Sequence, residues 1–255
     1  MPHVRKIVDL SHTIGPGMQV YPGDPVPTLI RHCTLERDGY NVLDVRIGSQ
    51  SGTHVDAPAH LKAGAATVDR LAPELFVGRG VVFDLRELVA RQRITRDLIM
   101  SRAEDAGPGD IAVFHTGWSR HYGTDAYYTH PFLDPEACAL LLDRGVRTFC
   151  LDTPSIDETP DGEHTDAGYP VHHLIADAGG VIGENLCRLD RIDFPDPLVS
   201  LLPIALEAGD GAPTRAGTAD PAVRGRRLSA TTPQAPSPLP GWALRPRPPG
   251  RSAGG

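Results

Sequence analysis

The sequence predicts an α/β fold built on a mixed sheet, in one domain with a disordered C-terminal tail. Short apolar runs bounded by turn residues interleave with helical stretches, but without the strict alternation of a wholly parallel sheet. The chain's 255 residues, 40% of them hydrophobic, suffice for a substantial core. Composition then changes sharply near residue 220: residues 221–255 hold eight prolines, five glycines and six arginines without one acid. A segment of that kind cannot bury enough apolar surface to fold. The reading is therefore a domain over 1–219 and a Pro/Arg-rich tail over 220–255.

Residues 4–10 read as the opening strand. Ser11 to Met18 and Tyr21-Pro22-Gly23-Asp24-Pro25 follow as rigid, turn-rich chain. Residues 41–49 alternate, with Val42, Asp44 and Arg46 set against Leu43, Val45 and Ile47, as a strand requires. Residues 80–85 form a short apolar strand, 96–106 have helical character, and 110–115 make another strand. Asp134-Pro135 starts the best helix, with Asp as cap and Pro in the first turn, and Gly145 stops it. A strand over 147–152, a helix over 170–178 and a final strand over 199–206 complete the domain.

The four cysteines (Cys33, Cys138, Cys150, Cys187) are far apart and read as buried thiols of a reducing cytoplasm. No apolar run approaches the about 18 residues needed to span a bilayer, and the N-terminus meets an acid too early for a secretion signal. Net charge is −7; with six of the 25 bases in the tail, the first 220 residues carry 19 bases against 32 acids, or −13. Such an acidic body argues against nucleic-acid binding by the folded part.

The most informative segment is Gln50-Ser-Gly-Thr-His-Val-Asp-Ala-Pro-Ala-His60. His54 and Asp56 stand two apart, so extended backbone aims both at one face. Pro58 excludes a helix there, and Gly52 permits a sharp turn just before them. An imidazole and a carboxylate converging on one point are ligands for Zn²⁺ or Mn²⁺. A lone His-x-Asp is more often a turn in a surface loop, so partners are needed downstream. Glu184 after Gly-Gly-Val-Ile and His172 after Pro170 are the candidates.

At this point the sequence resembles the cyclase family of metal-dependent hydrolases, which includes bacterial-type kynurenine formamidases and isatin hydrolases. Its signature, His-x-Gly-Thr-His-x-Asp-x-Pro-x-His, is matched from Gln50 to His60. Asp9-Leu-Ser-His12, Tyr21-Pro-Gly-Asp-Pro25, Thr116-Gly-Trp118, Leu151 to Asp157, Glu184-Asn-Leu186 and Gly209 to Pro213 match in order, over residues 5–218. The resemblance implies the swivelling β/β/α fold, assembled as a homodimer or homotetramer. It implies a metal site of His54, Asp56, His172 and Glu184, with Gln50 at the place of the first histidine and His60 as acid/base group. A glutamine oxygen is a harder, weaker donor than imidazole, which favours Mn²⁺ over Zn²⁺ and allows one ion where other members hold two.

Tyr21 and Trp118 are the aromatic candidates for binding a flat substrate. Asp152 is read as structural, and His115, His121, His130 and His164 as solvated. The function expected is metal-dependent hydrolysis, by metal-activated water, of an aryl or cyclic amide or a lactone. A metal-dependent cyclase or dehydratase, and a silent metal-binding scaffold, are the alternatives.

Overall fold

The computed structural model describes residues 4–165 and 168–221; the expected tail lies, from residue 222 on, outside them. β1 (Val4–Asp9) is followed by β2 (Thr28–Cys33), α1 (Leu35–Asp38), β3 (Val42–Arg46) and β4 (His54–Asp56). Next come β5 (Val77–Asp84), β6 (Arg93–Ile94), α2 (Arg96–Ala103), β7 (Ile111–His115), β8 (Phe132–Leu133) and α3 (Pro135–Asp143). The rest is β9 (Thr148–Leu151), α4 (Pro170–Asp177), β10 (Val181–Glu184), β11 (Leu198–Ser200), β12 (Gly211–Pro213) and β13 (Gly217–Pro221).

Nine strands form one sheet in the order β1-β13-β11-β5-β7-β9-β10-β4-β12. Its centre, β5-β7-β9-β10, is parallel, and both wings are antiparallel. The mixed sheet expected from the irregular rhythm is thus present, and the reason is now visible. The central strands are covered on both faces, so they read as continuous apolar runs. Along β7, Ala112 and Phe114 pack with Ile99, Leu141 and Ile175 of the helices. Ile111 and Val113, one residue out of phase, face a second core. That second core draws Val8 of β1 and Val199 of β11 together with Val55 of β4 and Ala212 of β12, so the wings curl toward each other.

The α3 helix obeys its sequence signals. The Asp134 carboxylate accepts from the Glu136 N–H, Pro135 occupies the first turn, and the helix ends at Asp143. Two expectations fail. The strand foreseen over 199–206 stops at Ser200, because Pro203 has no N–H to give a ladder, and Leu202 and Ile204 are exposed instead. His115 and His130 are buried rather than solvated; His130 Nδ1 lies 2.8 Å from the Pro131 carbonyl and Nε2 2.8 Å from Thr159 Oγ1. β2 and β3 pair only with each other, as a ribbon separate from the main sheet. Among the described residues no helix is long and apolar enough to cross a membrane.

Candidate metal centre

The strand β4 lies between β10 and β12, and this placement builds the site. Glu184 pairs with His54 across the β10–β4 ladder, and Ile182 with Asp56. Directly paired residues share a face, as do residues two apart on one strand, so His54, Asp56 and Glu184 project together. Gly52 makes the turn that starts this strand: its φ is +68°, and an added Cβ would sit 3.0 Å from Ile14 Cγ1. The fourth group, His172, comes from the first turn of α4, which packs over the same face.

All four side chains are buried. His54 Nε2 lies 3.4 Å from Asp56 Oδ1 and 3.6 Å from Glu184 Oε2. His172 Nε2 lies 3.6 Å from Asp56 Oδ2 and 3.5 Å from Glu184 Oε1. Each carboxylate therefore offers one oxygen to each imidazole. Ligand atoms of His54, Asp56 and Glu184 all lie within 4.8 Å of one another.

The imidazoles are oriented from behind. His54 Nδ1 is 2.8 Å from the Gly52 carbonyl, which can only accept, so that nitrogen carries the proton and Nε2 is left for the site. His172 Nδ1 lies 2.7 Å from Asp157 Oδ2, and the same carboxylate accepts the backbone N–H groups of Val171 and His172. Asp157 thus caps α4 and holds its histidine at once.

Charge in the site is strongly coupled. Burial pushes the His54 and His172 imidazoles down, but the carboxylates outweigh it: His54 is raised well above its ordinary value, and His172 to about 10. Burial pushes Asp56 up, yet the imidazoles hold it far below the usual carboxylate range, whereas burial and the charge of Asp56 raise Glu184. Two buried carboxylates in this position require positive charge between them. Asp56 Oδ1 makes no hydrogen bond at all. A donor set of two imidazole nitrogens and carboxylate oxygens, with one orphaned, fits a divalent cation.

The donors form the floor of a cavity of ≈ 450 Å³ rimmed by Tyr21, Asp24, Leu61, Pro154, Ser155 and Tyr169. His60 and Gln50 line it as well. Burial holds the Tyr21 phenol in its neutral form, and its hydroxyl has no hydrogen-bond partner. Tyr169 meets the His172 ring edge-on at 5.8 Å and adopts φ 47°, a left-handed conformation unusual for a non-glycine residue.

Trp118 is not part of this cavity. Its indole is buried and donates to the carbonyls of Ala126 and Tyr127, a packing role. Asp152, read as structural, accepts from the backbone and hydroxyl of Thr116 and touches no site histidine. Asp157, Tyr169 and Asp24 were not singled out from sequence. Asp24 and Asp157 stand inside the matched segments Tyr21 to Pro25 and Leu151 to Asp157 but carry no sign there of what they face, and the positive φ of Tyr169 leaves no mark in the sequence.

A sequence profile for a family described as putative cyclase matches residues 8–158, more than half of the chain. The chain belongs to the cyclase family. One cyclase-family relative, the kynurenine formamidase of Geobacillus thermodenitrificans (strain NG80-2), is 28% identical over 213 residues, covering 82% of this chain and 95% of that protein. The fold superimposes on an isatin hydrolase bound to the product analogue thioisatinate with TM-score 0.76 at 22% identity, covering 85% of this chain and 92% of that one. It also superimposes on a potential metal-dependent hydrolase with cyclase activity, TM-score 0.68 and 28% identity, covering 84% of this chain and 98% of that one. The chain is accordingly a cyclase-family enzyme of the metal-dependent hydrolase kind.

Proposed function

We propose that the enzyme hydrolyses the amide of a flat aryl substrate: first an aryl formamide such as N-formylkynurenine, second a cyclic aryl amide such as isatin. The carrying observation is the buried set of His54, Asp56, His172 and Glu184 on the floor of a cavity with Tyr21 and Tyr169 at its rim. The relatives' activities support the choice of an amide over other carbonyl compounds.

These four residues would hold one divalent cation, and a set of two imidazoles and two carboxylates suits Mn²⁺ and Zn²⁺ alike. When bound, the cation supplies an activated water and polarises the substrate carbonyl. The chain does the rest. The Gly52 carbonyl and Asp157 keep both imidazoles turned toward the floor. The unpartnered Tyr21 hydroxyl donates to a substrate oxygen, and the Tyr169 ring offers a flat face. His60, exposed at the cavity edge, would protonate the leaving nitrogen. An amine anion is a poor leaving group, so that proton matters more for an amide than for a lactone.

The enzyme would work as a homodimer or homotetramer. Ile30, Val42, Leu43 and Val45 of the β2–β3 ribbon are exposed apolar residues, the kind of surface that a second copy covers.

The test is metal analysis of the purified protein and turnover of N-formylkynurenine, isatin and simple lactones, with His54→Ala as control. Metal-dependent release of formate or of the ring-opened acid, lost in His54→Ala, is expected. No turnover of any of them after Mn²⁺ or Zn²⁺ loading overturns the proposal. A product that has gained no water, or has lost one, identifies a cyclase or dehydratase instead.

A further inference from the structure

We infer that Asp210 is the positioning residue for His60, with Gln50 bracing the pair. The inference rests on the reading of His60 as the acid/base group. Asp210 Oδ2 lies 3.2 Å from His60 Nδ1 and 3.4 Å from Gln50 Nε2, and those two nitrogens are 3.1 Å apart. A carboxylate can only accept, so both groups facing it must be donors. His60 then carries its proton on Nδ1, leaving Nε2 as the atom that exchanges a proton with substrate. Burial disfavours the charged form of Asp210, but hydrogen bonds from Ser49 and His60 outweigh it and keep the carboxyl ionised below its ordinary range.

Gln50 braces the pair from the face that carries the four donors. Gly211 pairs with Asp56 across the β4–β12 ladder, so a Cβ on Gly211 would point to the same face as Asp56. That Cβ would come within 2.6 Å of Gln50 Oε1 and 2.8 Å of Nε2, so the amide occupies the space that this glycine leaves open. The amide thus spans glycine, carboxylate and imidazole beside the cation donors.

The experiment has one arm that needs no turnover. In Zn²⁺-loaded protein with ¹⁵N-labelled histidine, assigned with His60→Gln, NMR should show His60 protonated at Nδ1. Asp210→Asn, whose amide can donate to Nδ1, should move the proton to Nε2. Metal per chain should be unchanged in Asp210→Asn. In turnover, Asp210→Asn should lower kcat by about 10- to 100-fold with KM intact, and should cost nothing further in a His60→Ala background. An Nε2–H tautomer in the wild type, loss of metal in Asp210→Asn, or an equal Asp210→Asn effect without His60 overturns the inference. Should no substrate turn over, the hydrolase reading fails alone, because tautomer and metal content are still read.

Discussion

His172 shows how much a single distant carboxylate contributes. Its imidazole is held by Asp157, which also caps the helix that carries it. Such partners behind a ligand commonly govern affinity by about 10- to 100-fold. Asp157→Asn should therefore weaken cation binding by about that factor, measured by titration calorimetry, while His54→Ala should abolish it. His54 and Asp56 were legible because a spacing of two, Gly52 and Pro58 allow little but an extended pair. Asp157 was not, since nothing local ties it to a histidine in the next helix. Trp118 misled for a related reason: sequence marks an aromatic residue but not which way it faces, and here the indole N–H finds carbonyls inward.

The short β12 and the β2–β3 ribbon behave differently as elements. β12 holds no ligand, yet Gly211 must stay small, because a Cβ there would also lie 2.6 Å from the Val55 carbonyl. Gly211→Ala should cost about 1–3 kcal/mol of stability by overpacking, read from urea denaturation. The ribbon is a two-stranded sheet with apolar side chains in solvent, and such ribbons are marginal alone. Ile30→Glu with Val45→Glu should shift the protein from oligomer to monomer in light scattering; an unchanged mass would show that the ribbon is not the contact. Helix α3 was legible down to its cap, since capping chemistry is local. The end of β11 was not: the apolar run of residues 199–206 continues past Ser200, where the strand stops and only an isolated bridge from Pro203 to Thr214 follows.

For the whole molecule, the mixed sheet could be read from element rhythm, but its order could not. The pairing of residue 56 with residue 211 leaves no mark in either segment. Acid sensitivity likewise emerges only at this scale. Burial lowers the imidazoles of His12 and His130 from an ordinary 6.5 to about 4. Below 6.5 the unfolded chain takes up protons that the folded one refuses, so the stability these groups contribute is lost as pH falls from 6.5 toward 4. Denaturant midpoints should fall across that window, and His130→Asn should flatten the slope. One more consequence follows from β4 lying between β10 and β12. The strand bearing His54 and Asp56 is made early in synthesis, but its neighbours come from residues 181–184 and 211–213. A growing chain offers an ion only scattered, weak donors until nearly the whole domain has left the ribosome. A product truncated before residue 181 would lack Glu184 and both neighbours of β4, and could not assemble the four donors.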